Sequence, residues 1–207
     1  FGDKNASGIV LMKSYNDYYY GYECMYIVDG GVADWYLWKD YFDAIDSGLI
    51  DSDVYETWTV IAIDKTKTEY SQIASKINGV AVKNLYATFY GCEQMTKAPV
   101  IPSTITAMTG TFFGCKELKT APVLPKNVQR VMLTFAECTA LQGDVIFNIT
   151  LDKSHHWLYG DTFMRTTNKI NLTGKTPEED LILIAKESDN TNITVNGKKV
   201  DYSKPEV

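Results

Sequence analysis

Residues 109–128 read TGTFFGCKELKTAPVLPKNV, and residues 86–105 read YATFYGCEQMTKAPVIPSTI. The two are one phrase set 23 residues apart. Thr88-Phe89, Thr111-Phe112 and Thr134-Phe135 coincide in that register, as do Leu85, Met108 and Val131. Cys92, Cys115 and Cys138 coincide too, and Met95, Leu118 and Leu141 follow them three residues on. Ala98-Pro99-Val100-Ile101-Pro102 returns as Ala121-Pro122-Val123-Leu124-Pro125, and the third copy has Gly143-Asp144-Val145-Ile146-Phe147 in that place. A period of about 20 to 29 residues with fixed apolar positions predicts a leucine-rich-type solenoid of parallel strands.

One such unit cannot bury its apolar side alone; stacked units bury it against one another, about 4.8 Å apart. Phe89, Phe112 and Phe135 should then form an aromatic ladder. Cys92, Cys115 and Cys138 should form a ladder of reduced thiols acting as small hydrophobes. Three identical positions with parallel Cβ vectors suit neither disulfides nor tetrahedral zinc. A worn fourth copy lies at DTFMRTTNKINLTG, with Thr162-Phe163 set 28 residues after Thr134-Phe135 and Thr166 in the cysteine place. The extra five residues fall near LDKSHHWLYG.

The order Thr-Phe-x-x-Cys-x-x-Leu, then an apolar strand ending in Pro, resembles the BspA-type leucine-rich repeat over about residues 80–175. That family usually has Ala-Phe where this chain has Thr-Phe, and its strand usually lacks Pro99 and Pro122. The resemblance implies a bacterial surface or secreted module that binds proteins or host ligands. It implies no catalytic residues.

Strand alternation puts Ala98 and Val100 on one face and Pro99 and Ile101 on the other. With the first pair turned inward, Pro99, Ile101, Pro122 and Leu124 line an uncharged outer surface. That stripe is the expected partner-binding face, or one covered by a neighbouring segment or a second subunit.

Both ends differ from the repeat. Thr176 is the expected cap of a helix with Pro177 at its first position and Glu178, Glu179 and Asp180 in its first turn. NITVNGKKVDY predicts a hairpin around Asn196-Gly197. Residues 176–207 therefore read as a helix-plus-hairpin cap. Residues 1–79 read as a small α+β unit. IVLMKSY and YYYGYECMYIV should be paired strands, DWYLWKDYFDAIDSG a helix from Ala33 or Asp34 to Gly48, ETWTVIAI a strand, and KTEYSQIASKING a helix.

Charge is uneven across the 207 residues. Residues 1–64 hold twelve acidic and three basic side chains, with nine of fourteen Tyr and three of four Trp. Such a segment repels phosphate backbones, and the surplus of three positive charges elsewhere is too scattered for a basic groove, so nucleic acid is not an expected partner. Hydrophobic residues make up 45% and charged residues 22%, as in a soluble globular chain. No apolar run approaches the ~18 residues of a membrane span. The chain begins at Phe1 instead of Met, as a processed chain would, and a leader or lipid anchor ahead of it stays open.

Several clusters of residues are candidate sites. Trp35 and Trp38, with Tyr18, Tyr19, Tyr20, Asp34 and Asp40, could stack on and hydrogen-bond a sugar, although most are expected in the core or on a solvated face. Asp43, Asp46, Asp51, Asp53 and Glu56 do not match calcium-loop spacing. His155 and His156 are adjacent and point apart, so even with Asp152 and Asp161 nearby they make a poor metal site. Asn5, Asn148, Asn171 and Asn192 begin glycosylation sequons that are permissive only. No nucleophile elbow, phosphate loop or zinc-protease motif occurs. The expected function is a non-catalytic surface or secreted module, without cofactor or metal, that binds a protein or glycan. A phage-tail-type assembly component, self-associating through the stripe, is the alternative; a glycan-active enzyme in residues 1–79 is the lesser one.

Overall fold

The computed structural model describes residues 8–16, 19–29, 32–39, 58–62, 65–70, 72–73, 75–77 and 80–203. The two N-terminal apolar runs pair as their pattern predicts: β1 (Gly8–Asn16) lies antiparallel to β2 (Tyr19–Asp29), with Ile9 opposite Ile27. The next segment overturns the sequence reading. Residues Val32–Lys39 are strand β3, where a helix was expected. β3 is hydrogen-bonded to β2 on one side and to β4 (Trp58–Ala62) on the other. Two flanking ladders outweigh the local helical pattern, because strand formation is decided by cross-strand neighbours more than by propensity. The rest of that expected helix, residues 40–48, lies outside the described residues, as do Tyr18 and the acidic run 43–56. β5 (Lys76–Ile77) and β6 (Val80–Asn84) complete a sheet of order β1-β2-β3-β4-β6-β5.

The second expected helix, in residues 67–79, is also absent from the described residues there; turns and β5 take its place. Its backbone and side chains serve the first repeat copy instead. Thr96 N donates to Thr68 O at 2.9 Å and Val82 N to Ser75 O at 3.0 Å. The Tyr70 ring meets Phe89 edge-on at 5.1 Å, and its hydroxyl donates to Cys92 Sγ at 3.2 Å.

From residue 84 the 23-residue units stack as layers. Leu85, Ala87, Phe89 and Gly91 donate their amides to the carbonyls of Ala107, Thr109, Thr111 and Phe113 at 2.8–3.0 Å. Met108, Gly110, Phe112 and Gly114 do the same to Arg130, Met132, Thr134 and Ala136, and Val131, Leu133, Phe135 and Glu137 to Leu158, Gly160, Thr162 and Met164. All of these amides point one way along the stack. Phe89 and Phe112 stack at 5.2 Å and 3°, Phe112 and Phe135 at 5.5 Å and 1°, and Phe135 and Phe163 at 5.6 Å and 15°. The aromatic ladder expected from the spacing is present and fully buried.

The threonine before each phenylalanine binds layers together. Thr111 Oγ1 lies 2.8 Å from Leu85 O in the preceding layer and 2.7 Å from Met108 O in its own. Thr134 repeats this with Met108 O and Val131 O, and Thr162 with Val131 O and Tyr159 O. An alanine there could offer neither bond.

The stack ends in a regular sheet of order β10-β9-β8-β7. β7 (Gly143–Phe147), β8 (Ile170–Gly174) and β9 (Ile193–Val195) run parallel; β10 (Lys198–Lys199) turns back antiparallel through Asn196 (φ 50°) and Gly197 (φ 76°). Helix α1 (Glu178–Lys186) packs on β9 and β8, with Leu181, Ile184 and Ala185 buried. Pro177, not Thr176, stands at its N-cap. Thr176 Oγ1 is drawn inward instead, accepting from Ile149 N at 2.9 Å and lying 2.9 Å from Phe147 O. Taken together, the described chain is α+β: open sheets, the second mostly parallel, with one helix.

Replacing Thr134 by Val should cost about 1–3 kcal/mol, the penalty for stranding buried acceptors, read as a lower urea midpoint. Gly174 has φ 128°, and a Cβ there would overlap the Phe147 carbonyl. Gly174→Ala should therefore lower the melting temperature more than Gly110→Ala, whose Cβ would meet nothing within 4 Å.

Candidate functional site

The outer face of the sheet is fixed by which alternate residues the core takes. Val145 and Phe147 are fully buried, and Leu124 bridges to Phe147 in parallel register, donating its amide to Ile146 O at 2.9 Å. That register carries Leu124 into the core at 0% exposure, and Ile101, its equivalent one copy earlier, is 5% exposed, with Pro99 buried and Pro122 half-buried. The stripe expected from the sequence is thus the inner side. The residues that face solvent are Val100, Val123 and Ile146, at 70%, 49% and 37% exposure. Pro99 and Pro122 occupy the inward place that Val145 and Leu172 hold later, and each lacks the amide for one ladder bond.

The exposed row carries no charge. Thr173 extends it, opposite Ile146 in the register. Beside it runs a polar row in which Asn171 Nδ2 donates to Asp144 Oδ1 at 2.8 Å and Thr194 Oγ1 donates to Asn171 Oδ1 at 2.9 Å. The face can exclude water over a short apolar strip bordered by fixed polar groups.

A second patch, which the sequence reading passed over, lies on the turn side. Tyr86 and Tyr90 are 43% and 48% exposed, and Tyr90 stacks on Phe113 at 4.9 Å. Lys65 Nζ lies 5.4 Å from the Tyr90 ring centroid and donates to Tyr90 O at 2.6 Å. The signal was available: Tyr90 and Phe113 share one place in the repeat. The insertion adds Trp157, 40% exposed, with the His155 ring stacked at 4.1 Å and His156 edge-on at 5.7 Å. A shallow groove of about 280 Å³ between α1 and the terminal hairpin has Ile182, Val195 and Val200 among its lining residues.

Trp35 and Trp38 sit three apart on strand β3, paired with Ile27 and Cys24, instead of a turn apart on a helix. Their side chains lie outside the described residues, as does Asp40. Among the described residues, no three His, Cys, Asp or Glu gather where they could hold a metal ion. Asp152 is engaged by Ser154, whose hydroxyl lies 2.6 Å away and which holds the carboxyl below its usual range.

The thiol ladder is buried and free of disulfides at Cys92, Cys115 and Cys138. Cys115 Sγ donates to Phe89 O at 3.2 Å and Cys138 Sγ to Phe112 O at 3.0 Å. Burial pushes the Cys115 thiol up strongly and the Cys138 thiol up to about 12. No protein-family model, characterised protein or solved structure matches the chain. Among the described residues, no helix is long and apolar enough to cross a membrane.

The unfolded chain releases the Cys138 proton near pH 9.0, the ordinary thiol value, whereas the folded chain holds it to about 12. Above pH 9.0 the unfolded state binds fewer protons, so stability falls as pH rises through that window. Urea midpoints should show a decline that is shallower in Cys138→Thr, a change patterned on Thr166 in the fourth layer.

Proposed function

We propose that the chain is a non-catalytic binding module: a short leucine-rich-type solenoid of the BspA kind whose sheet face presents an apolar strip to a protein partner. The observation that carries this reading is the solvent-facing row Val100, Val123 and Ile146 on a face stiffened by stacked layers. Exposed apolar strips rimmed by polar groups mark interaction sites, and a scaffold already ordered loses little entropy on binding. The row is aliphatic, and an aliphatic strip offers no ring face for a sugar; this favours a protein over a glycan at this face. The Thr-Phe-x-x-Cys-x-x-Leu order supports a bacterial surface or secreted setting.

Assembly is the second reading, favoured by the same uncharged row, which suits association between copies. Light scattering separates the two: a monomer across concentrations supports a binding module, and a stable oligomer supports assembly.

Val100→Asp with Val123→Asp puts two charges on the strip and leaves the core untouched. Wild type should bind a component of an extracellular-matrix, mucin and glycan panel, and the double variant should bind it about tenfold more weakly or worse. Silence of the wild type across the panel, or equal binding by the variant, would sink the proposal.

A further inference from the structure

The hairpin turn at the end of the stack holds an asparagine–glycine step under chemical restraint. Asn196 is exposed and Gly197 follows it, the pair whose small second residue best admits attack by the backbone nitrogen on the side-chain amide. Three hydrogen bonds oppose that attack. Gly197 N donates to Asn171 Oδ1 at 2.8 Å, Asn196 N donates to Leu172 O at 2.9 Å, and Asn196 Nδ2 donates to Glu178 Oε2 at 3.2 Å. The first matters most, because Gly197 nitrogen is the nucleophile and must lose its proton before it can react.

We propose that Asn196–Gly197 is a site of spontaneous deamidation and that Asn171, one strand inward on β8, sets its rate by holding the Gly197 amide. In the reaction the Gly197 nitrogen gives its proton to solvent base and bonds to Asn196 Cγ. The side-chain nitrogen leaves as ammonia, taking up a proton. Water then opens the five-membered imide, leaving aspartate or isoaspartate at that position. Either product puts a carboxylate beside Glu178 in place of an amide donor. Isoaspartate also adds a backbone atom to the two-residue turn, which breaks the bond to Leu172 O. The modification therefore loosens the hairpin that closes the stack.

The test follows the full chain at mildly alkaline pH by peptide-mapping mass spectrometry, reading the deamidated and isoaspartate fractions at Asn196. The folded wild type should react more slowly than the same chain in urea. Asn171→Ala and Asn171→Thr, the latter suited to a strand, should speed the folded protein about fivefold, the factor carried by one hydrogen bond. Thr134→Val, which lowers stability two layers away and touches neither Asn171 nor the hairpin, should leave the rate as it was. Equal rates in wild type and the Asn171 variants would overturn the proposal, and so would equal acceleration by Thr134→Val, which would mean general loosening. If neither Asn171 variant folds, hydrogen exchange of the wild-type Gly197 amide decides: protection supports the restraint, and free exchange refutes it.

Discussion

In the first three layers every second amide of the Thr-Phe turn has its acceptor in the next copy of the repeat. Leu85, Ala87, Phe89 and Gly91 donate there and to no carbonyl of their own layer, as do Met108, Gly110, Phe112 and Gly114, and then Val131, Leu133, Phe135 and Glu137. An isolated unit would leave four such donors to water and its phenylalanine exposed. Buried backbone groups must be paired, so the layers stand only as neighbours. The stacked phenylalanines, the buried threonines and the thiols all follow from that one requirement.

Side chains repeat the same economy. Threonine hydroxyls and cysteine thiols both reach a carbonyl about one layer back, which is why residues of such different character keep fixed places. The backbone is asked to bend sharply to make this possible. Ala87, Leu133, Glu137, Asp161 and Arg165 all adopt left-handed conformations at φ 51–58°, each costing about 1–2 kcal/mol for a residue with a side chain. The neighbouring copies have glycine at the same places, Gly91, Gly110 and Gly114, so the strain is shared unevenly along the stack. At the first layer the pattern is incomplete. The Thr88 hydroxyl is buried without a hydrogen-bond partner, whereas its three equivalents each lie within reach of a carbonyl of the layer before.

Much of this was legible in the residues. The interval between Thr-Phe pairs predicts the aromatic column, because equal spacing in a stack means equal height. Asn196-Gly197 predicts its hairpin, because two successive left-handed residues admit few alternatives. What could not be read was decided by partners far off in the chain. Trp35, Leu37, Trp38 and Tyr41 fit a helical face, but pairing with β2 and β4 makes residues 32–39 a strand. Alternation within Ala98–Pro102 separates two faces without saying which one the core takes; Phe147, 23 residues beyond Leu124, settles it. Thr176 looked like a helix cap and is used as a brace, because Ile149 and Phe147 need it more.

The amides at the far end of the stack have a different set of receivers. Asp161 donates to Glu187 O, Phe163 to Ser188 Oγ and Arg165 to Asp189 Oδ1, all just past the helix. These groups stand where a further copy would present its carbonyls. The terminal piece is therefore a plug shaped to the seam: it receives three donors that an open end would leave to water.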